Sequence, residues 1–99
     1  MTTIDLSLMN AELYAGCEIE EVAGRRNLKT PVAEAINLVG QNIARIVANL
    51  SPQQRDVITL TGPMAVWSYL VVFHAVVHAC REVRYDDGRS GLVVIARHG

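Results

Sequence analysis

Residues 61–98 read TGPMAVWSYLVVFHAVVHACREVRYDDGRSGLVVIARH, and this stretch decides the fold. A strand ends at Gly62-Pro63, where the missing proline N–H and the freedom of glycine stop a ladder and open a helix. The helix runs from Pro63 to about Ala79. Trp67, Tyr69, Leu70, Val72, Phe73 and Val76 are spread around its circumference, and only Ser68, His74 and His78 are polar in its body. A helix apolar on every side is expected to be buried on every side. A domain this small has too few layers to bury it alone. One face is therefore expected on a sheet and another on a second subunit, in an apolar homodimer interface. Arg81–Tyr85 then forms a short strand. Asp87-Gly88 makes a hairpin turn, because glycine accepts positive φ and aspartate bonds its own backbone. Gly91–Arg97, rich in Val and Ile, returns as the last strand.

Upstream, Arg55–Thr61 carries apolar residues on both faces, as a central strand does. Ser51 and Gln54 have capping-box spacing and predict a single helical turn. Thr30-Pro31 reads as a helix start, with the Thr hydroxyl as cap. Val32, Ile36, Val39, Ile43, Ile46 and Leu50 then recur at three and four, which predicts an amphipathic helix of about five turns. Thr3–Met9 alternates apolar and polar residues, and Leu13–Ile19 is expected to pair with it as a hairpin, weakened by Gly16. The whole chain is expected to be a single domain, residues 1–99. The expected class is α+β: a small mixed or antiparallel sheet with two main helices in a ferredoxin-like arrangement, in the order β-β-α-β-α-β-β.

Composition narrows the function. The formal net charge is −1, which disfavours coating of long nucleic acid by phosphate neutralisation. No apolar run reaches the ~20 residues of a membrane span, and no basic leader precedes the first apolar residues, so a cytoplasmic location is expected. Cys17 and Cys80 match no metal spacing and are expected to be free thiols. Arg25 and Arg26 read as a solvated loop or as contacts to ligand phosphates.

Three constellations bear on chemistry. His74 and His78 stand four apart, on one helix face about 6 Å from each other. They read either as buried imidazoles bonded to backbone or as metal ligands; the protease motif is excluded because Ala-Val-Val lies between them. Asp87 and Arg89 follow the next strand, where a carboxylate and an imidazole from His78 are expected to converge on a divalent ion such as Mn²⁺, with Arg89 balancing phosphate charge. Gly62-Pro63 presents a helix N-terminus to an anion. A serine nucleophile elbow, a Walker loop and a dinucleotide glycine fingerprint are all absent.

The same stretch resembles the CRISPR-associated ring nucleases of the Csx-three type, also described as manganese-dependent deadenylating nucleases. That family has a Gly-Pro turn, a helix with a Trp and a His near its end, a strand, a Tyr-Asp-Pro-Arg-x-Gly turn, and a Val-rich strand closing on a His. This chain has Gly62-Pro63, Trp67, His78, Tyr85, Asp87-Gly88-Arg89-Ser90-Gly91 and Leu92 through His98. Gly88 replaces the family's Pro, Asp86 is inserted before Asp87, and the helix before His78 is longer. The match covers residues 61–98 only. The resemblance implies a metal-dependent phosphodiesterase that opens cyclic oligoadenylate, most simply the tetramer, to linear adenylates and so switches off type III CRISPR signalling. It implies His78, Asp87 and Arg89 as catalytic residues, His78 and Asp87 at Mn²⁺, and Gly62, Pro63, Arg89 and His98 as ligand contacts. It also implies homodimers that sandwich the ring between two dimers. A non-cleaving cyclic-nucleotide-binding protein and a 3′ RNA deadenylating exonuclease are the alternatives.

Overall fold

A computed structural model describes residues 1–98. Its elements run β1 (Thr2–Asp5), β2 (Ile19–Val22), β3 (Arg25–Leu28), α1 (Val32–Ala48), β4 (Val57–Thr61), α2 (Val66–Val77), β5 (Glu82–Asp86) and β6 (Leu92–Arg97). The expected class holds: α+β, with two helices, a mixed four-stranded sheet and a small antiparallel hairpin, consistent with a ferredoxin-like arrangement.

The sheet order is β1-β4-β5-β6. β1, β4 and β5 are parallel, and β6 returns antiparallel to β5. Each parallel pair is joined through a helix. Both crossovers step the same way across the sheet, so right-handed connections put both helices on one face. There α1 and α2 pack against each other. Ile4, Ile58, Leu60 and Val83 point from the strands into this layer, where they meet Val39, Ile43, Val72 and Val76. β4 lies between β1 and β5 with four of its five residues buried, the central strand its unbroken apolar run predicts.

The N-terminal third departs from expectation. β1 stops at Asp5, whose carboxylate accepts the Ser7 N–H at 2.8 Å and the Ser7 hydroxyl at 2.9 Å. Such side-chain bonding to the local backbone competes with a ladder. Leu13–Ile19 is therefore not a partner of β1. It is mostly turn, and Leu13 and Tyr14 are buried within it. The hairpin forms further along, between β2 and β3. Its two-residue turn is Ala23-Gly24, both at positive φ (52° and 78°), the geometry a tight hairpin requires.

The helix start also differs. Pro31 is the N-cap of α1, and no side chain caps it. Thr30 instead accepts the Glu18 N–H at 2.7 Å, tying the hairpin to the helix entry. The buried face of α1 is Ala35, Val39, Asn42, Ile43 and Val47, whereas Val32 and Ile36 are exposed. Asn42 donates to the carbonyls of Leu13 and Ala15, both at 2.9 Å, so it holds the turn segment in place. The capping box at Ser51 forms as predicted: Gln54 Oε1 accepts the Ser51 N–H, and Ser51 Oγ accepts the Gln54 N–H.

α2 is not buried all round. Ser68, Val72 and Val76 face the core, while Val66 is 73% and Leu70 63% exposed. The two histidines are exposed as well, so the reading of buried imidazoles fails. Among the described residues, no helix is long and apolar enough to cross a membrane.

Candidate functional site

The parallel strands direct their carboxyl ends to one edge, and most of the chemistry-bearing residues collect there. Ligands in open α/β sheets bind outside these strand ends. β1 ends at Asp5, β4 at Thr61 before Gly62-Pro63, and β5 at Asp86 before Asp87. A hollow of about 290 Å³ is lined by Thr61, Gly62, Pro63, Asp86, Asp87 and Gly88. A second hollow, of about 320 Å³, lies on the other side of Pro63, where Ser7, Gly24 and Arg26 join it. Arg26 thus stands at the strand-end edge.

The floor of this edge is rigid. Thr61 donates its hydroxyl to the Asp86 carbonyl at 2.8 Å, and the Leu6 N–H bonds the Thr61 carbonyl at 2.8 Å. Gly62 has φ +102°; a Cβ there would collide with Asp5 Oδ1 and lie 3.1 and 3.2 Å from the backbone nitrogens of Ser7 and Leu6. Tyr69, one turn into α2, donates its hydroxyl to the Gly62 carbonyl. Beneath, the buried Tyr14 hydroxyl bonds the Leu6 carbonyl and lies 2.8 Å from Ser68 Oγ. A carbonyl only accepts, so Tyr14 donates to Leu6 and Ser68 donates to Tyr14. α2 starts at Ala65 without a side-chain cap and without an acidic residue in its first turn. Its first N–H groups and positive dipole end are therefore open to an anion.

The turn after β5 carries two carboxylates, both used by its backbone. Asp86 Oδ1 accepts the Gly88 N–H at 2.8 Å, and Asp87 Oδ1 accepts the N–H groups of Ser90 and Arg89 at 2.7 Å each. These bonds, from Ser90 first and Arg89 second, hold the Asp87 carboxyl below its ordinary value. Asp87 is thus an ionised acceptor near neutrality, suited to a cation and poor as a proton carrier. Arg89 is exposed and forms no ion pair among the described residues.

The predicted residues divide between two ends of the fold. Gly62, Pro63, Asp87 and Arg89 share the strand-end edge. His78 caps the far end of α2, at the start of β5, and His98 follows the end of β6, where its N–H bonds the Arg81 carbonyl at 2.7 Å. β5 has five residues; at about 3.3 Å each it holds His78 and Asp87 some ~15 Å apart or more. One chain therefore does not join His78 and Asp87 at a metal, which corrects the expected ligand pair. Among the described residues no group of three or more His, Cys, Asp or Glu side chains is placed to hold an ion. His74 and His78 do meet, edge to face with ring centroids 5.2 Å apart, on the exposed side of α2.

Sequence reasoning missed Glu82. It is 2% exposed, and the guanidinium groups of Arg84 and Arg97 (2.7 Å) cover it. Arg97 and then Arg84 hold its carboxyl below the ordinary value. The alternation Glu82, Arg84 puts both on one face of β5, and that spacing was the available signal. Asn42 and Tyr14, which anchor the strand-end floor, had no comparable signal.

No protein-family model matches this chain, and neither a curated protein nor a solved structure is significantly similar to it.

Proposed function

We propose that this protein is a ring nuclease: a phosphodiesterase that opens cyclic oligoadenylate, the tetramer first among candidates, and that acts as a homo-oligomer in the cytoplasm. One observation supports this most. Gly62, Pro63 and Arg26 line hollows of phosphate scale at the carboxyl edge of the parallel strands, and the uncapped start of α2 and the exposed Arg89 follow within a few residues of that lining. Backbone N–H groups and guanidinium groups there offer an oligonucleotide what its phosphodiesters need. The spacing of His78, Asp87, Arg89 and His98 supplies the link to cyclic oligoadenylate.

In this reading Arg89 neutralises the scissile phosphodiester, and the helix N-terminus orients a neighbouring phosphate. Asp87 stays ionised and contributes charge, not a proton. The imidazoles stand at the opposite end of β5, so in the complete site they come from another copy of the chain. A divalent ion such as Mn²⁺ enters only as one shared between copies.

The test is incubation of labelled cyclic tetra-adenylate with the protein, with Mn²⁺ and with EDTA, followed by chromatography. Linear adenylates are expected, and Asp87→Asn, which keeps the turn's acceptor oxygen and removes its charge, is expected to lose about 100-fold in rate, the scale of one electrostatic contact. An intact ring after long exposure overturns the nuclease. The separation of His78 from Asp87 favours one second reading, a module that binds the nucleotide without cutting it. Tight binding with no product would establish that instead.

A further inference from the structure

We propose that β6 is the seam of a two-fold homodimer, paired antiparallel with β6 of a second copy, and that this pairing brings the partner's His98 to the Asp87–Arg89 turn. The seam rests on the surface alone; its role in a composite site rests on the phosphodiesterase reading above.

The sheet order leaves β6 with a free edge. Edge strands usually carry lysine, proline or inward charges, or are very short, because unpaired N–H and C=O groups recruit other chains. The opposite edge, β1, follows that rule: it is four residues long, with Thr2, Thr3 and Asp5. β6 does not. Leu92, Val93, Val94 and Ile95 are 54%, 47%, 44% and 53% exposed, with no charge before Arg97. Both faces of the strand are therefore apolar and half bare.

The bare surface continues onto α2. Val66 and Leu70 stand beside Phe73, and a groove of about 470 Å³ runs between them and Tyr85 and Ile95. The six most exposed of these apolar side chains are about half bare each and together present on the order of 300 Å², at ~60–120 Å² for a whole side chain. A standard interface buries about 800 Å² per partner. The patch thus supplies about a quarter to a half of such an interface as its apolar centre, and the backbone edge and polar ends of β6 supply the rim. Two copies placed edge to edge would lay this surface against itself and extend the sheet from four strands to eight.

Symmetry and charge select the antiparallel arrangement. A strand that pairs with itself about a two-fold axis runs antiparallel, and the contact is isologous. Its first residue then lies opposite the partner's last, so Leu92 faces the partner's Arg97 and Gly91 faces the partner's His98. One end of β6 holds the carboxylates of Asp86 and Asp87. The other holds His98, with Arg97 paired to Glu82 and the neighbouring Arg81 paired to Asp56. Antiparallel pairing sets the Asp86–Asp87 turn against the partner's His98, whereas parallel pairing would set the two acidic turns together. The bulge where β5 meets β6, between Val83 and Arg84, twists the strand and shortens the usable ladder. Side-chain burial therefore carries the association more than backbone bonds do.

This geometry removes the difficulty of the divided site. In one chain His98 and the Asp87–Arg89 turn lie at opposite ends of the six residues of β6, about 20 Å apart. Across the seam they become neighbours, twice per dimer.

Light scattering at micromolar concentration is expected to give twice the 10.8 kDa of one chain. Val94→Lys and Val93→Lys, one on each face, are each expected to give a single-chain mass with native circular dichroism. Met9→Lys, exposed and remote from the seam, is expected to remain dimeric. A monomeric parent protein, or a dimer surviving both lysines, overturns the seam. The register is tested by mixing Leu92→Cys chains with Arg97→Cys chains under oxidation and mapping the linked peptides. A 92–97 disulfide supports the antiparallel pairing, and a dimeric mixture without it refutes that pairing. For the composite site, Asp87→Asn and His98→Ala chains are mixed. Half of the dimers are then hybrid, each with one intact site of two, so about a quarter of the parent turnover returns. No recovery overturns the shared site. Failure of the parent protein to cleave sinks the nuclease alone, because the mass and cross-link measurements still judge the seam.

Discussion

Replacing Tyr14 with Phe tests whether the strand-end edge is held by the polar network beneath it. Tyr14 is 2% exposed, and its hydroxyl joins the Leu6 carbonyl at the end of β1 to Ser68 in the first turn of α2. Tyr14→Phe keeps the ring and removes one oxygen. It strands a buried carbonyl and a buried hydroxyl, each worth about 1–3 kcal/mol when unsatisfied. Ser68 recovers part of its share by turning its hydroxyl to the carbonyl one helical turn back. The expected loss is therefore roughly 2–4 kcal/mol. In a domain of this length that lowers Tm by about 10–20 °C, at 4–8 °C per kcal/mol. Ser68→Ala removes only one bond and is expected to cost about 1 kcal/mol. In the Tyr14→Phe background Ser68 has already lost its acceptor, so Ser68→Ala is expected to cost nothing further there. The double-mutant cycle should then show a coupling of about 1 kcal/mol. Urea unfolding at one fixed protein concentration measures all four corners. A Tyr14→Phe loss under ~0.5 kcal/mol, or simple additivity of the two substitutions, would refute the network as the tie between β1 and α2.

Other perturbations probe separate parts of the same edge. Gly62→Ala adds a Cβ at φ +102° against Asp5 and the Ser7 and Leu6 backbone, so strain alone is expected to cost about 1–3 kcal/mol, read as a fall in urea midpoint; an unchanged midpoint would show that the turn relaxes freely. Glu82, whose carboxyl Arg97 and Arg84 hold below its ordinary value of 4.5, contributes stability that is present above that value and is lost as pH falls through the lower folded value. Glu82→Gln should accordingly flatten the acid limb of the stability profile, and an acid limb of unaltered slope would exclude Glu82 as its cause. Burial raises Tyr14 and Tyr69 above 10.0; their contribution is complete below pH 10 and is lost as pH rises through the folded values. Tyr14→Phe should therefore also shallow the alkaline limb in a pH-dependent melt.

The carboxyl-terminal forty residues were legible because their local signals agree. The Gly62-Pro63 stop, the helix after it, the turn at Asp87-Gly88 and the Val-rich strand each specify one structure, but the register of β5 with β6, Asp86 opposite Leu92 with a shift between Val83 and Arg84, does not follow from Asp87-Gly88. The amino-terminal third misled because two levels conflict there. Ile4, Leu6 and Leu8 keep a strand's alternation, but Asp5 diverts the Ser7 backbone into a side-chain bond and ends the ladder. Leu13 and Tyr14 then look like a second strand, while their burial depends on Asn42 of α1, far along the chain. The turn at Ala23-Gly24 gave a weak hairpin signal because alanine seldom takes positive φ. At the candidate site the residue types were legible and their distribution was not. His78, Asp87 and His98 are close in sequence, yet β5 and β6 are extended and carry them to opposite ends.

The extreme apolarity of α2 follows from where the topology stops. Strands lie about 4.8 Å apart and a helix is about 10 Å wide, so one helix covers roughly two strands. The two crossovers centre α1 over β1 and β4 and α2 over β4 and β5. β6 is added by a turn after the last crossover, with no helix following it among the described residues, so nothing in the chain returns over it. A chain selected to leave that edge in water would place lysine or threonine at 93 and 95 on the strand and at 66 and 70 on the helix. This one places Val, Ile, Val and Leu there, all about half exposed or more. The same residues that make α2 look too apolar for a small domain are the ones that line the edge groove. The proposed seam, a second copy laid along β6, would cover both, and it would set the partner's His98 beside the carboxylates that a single chain keeps beyond its reach.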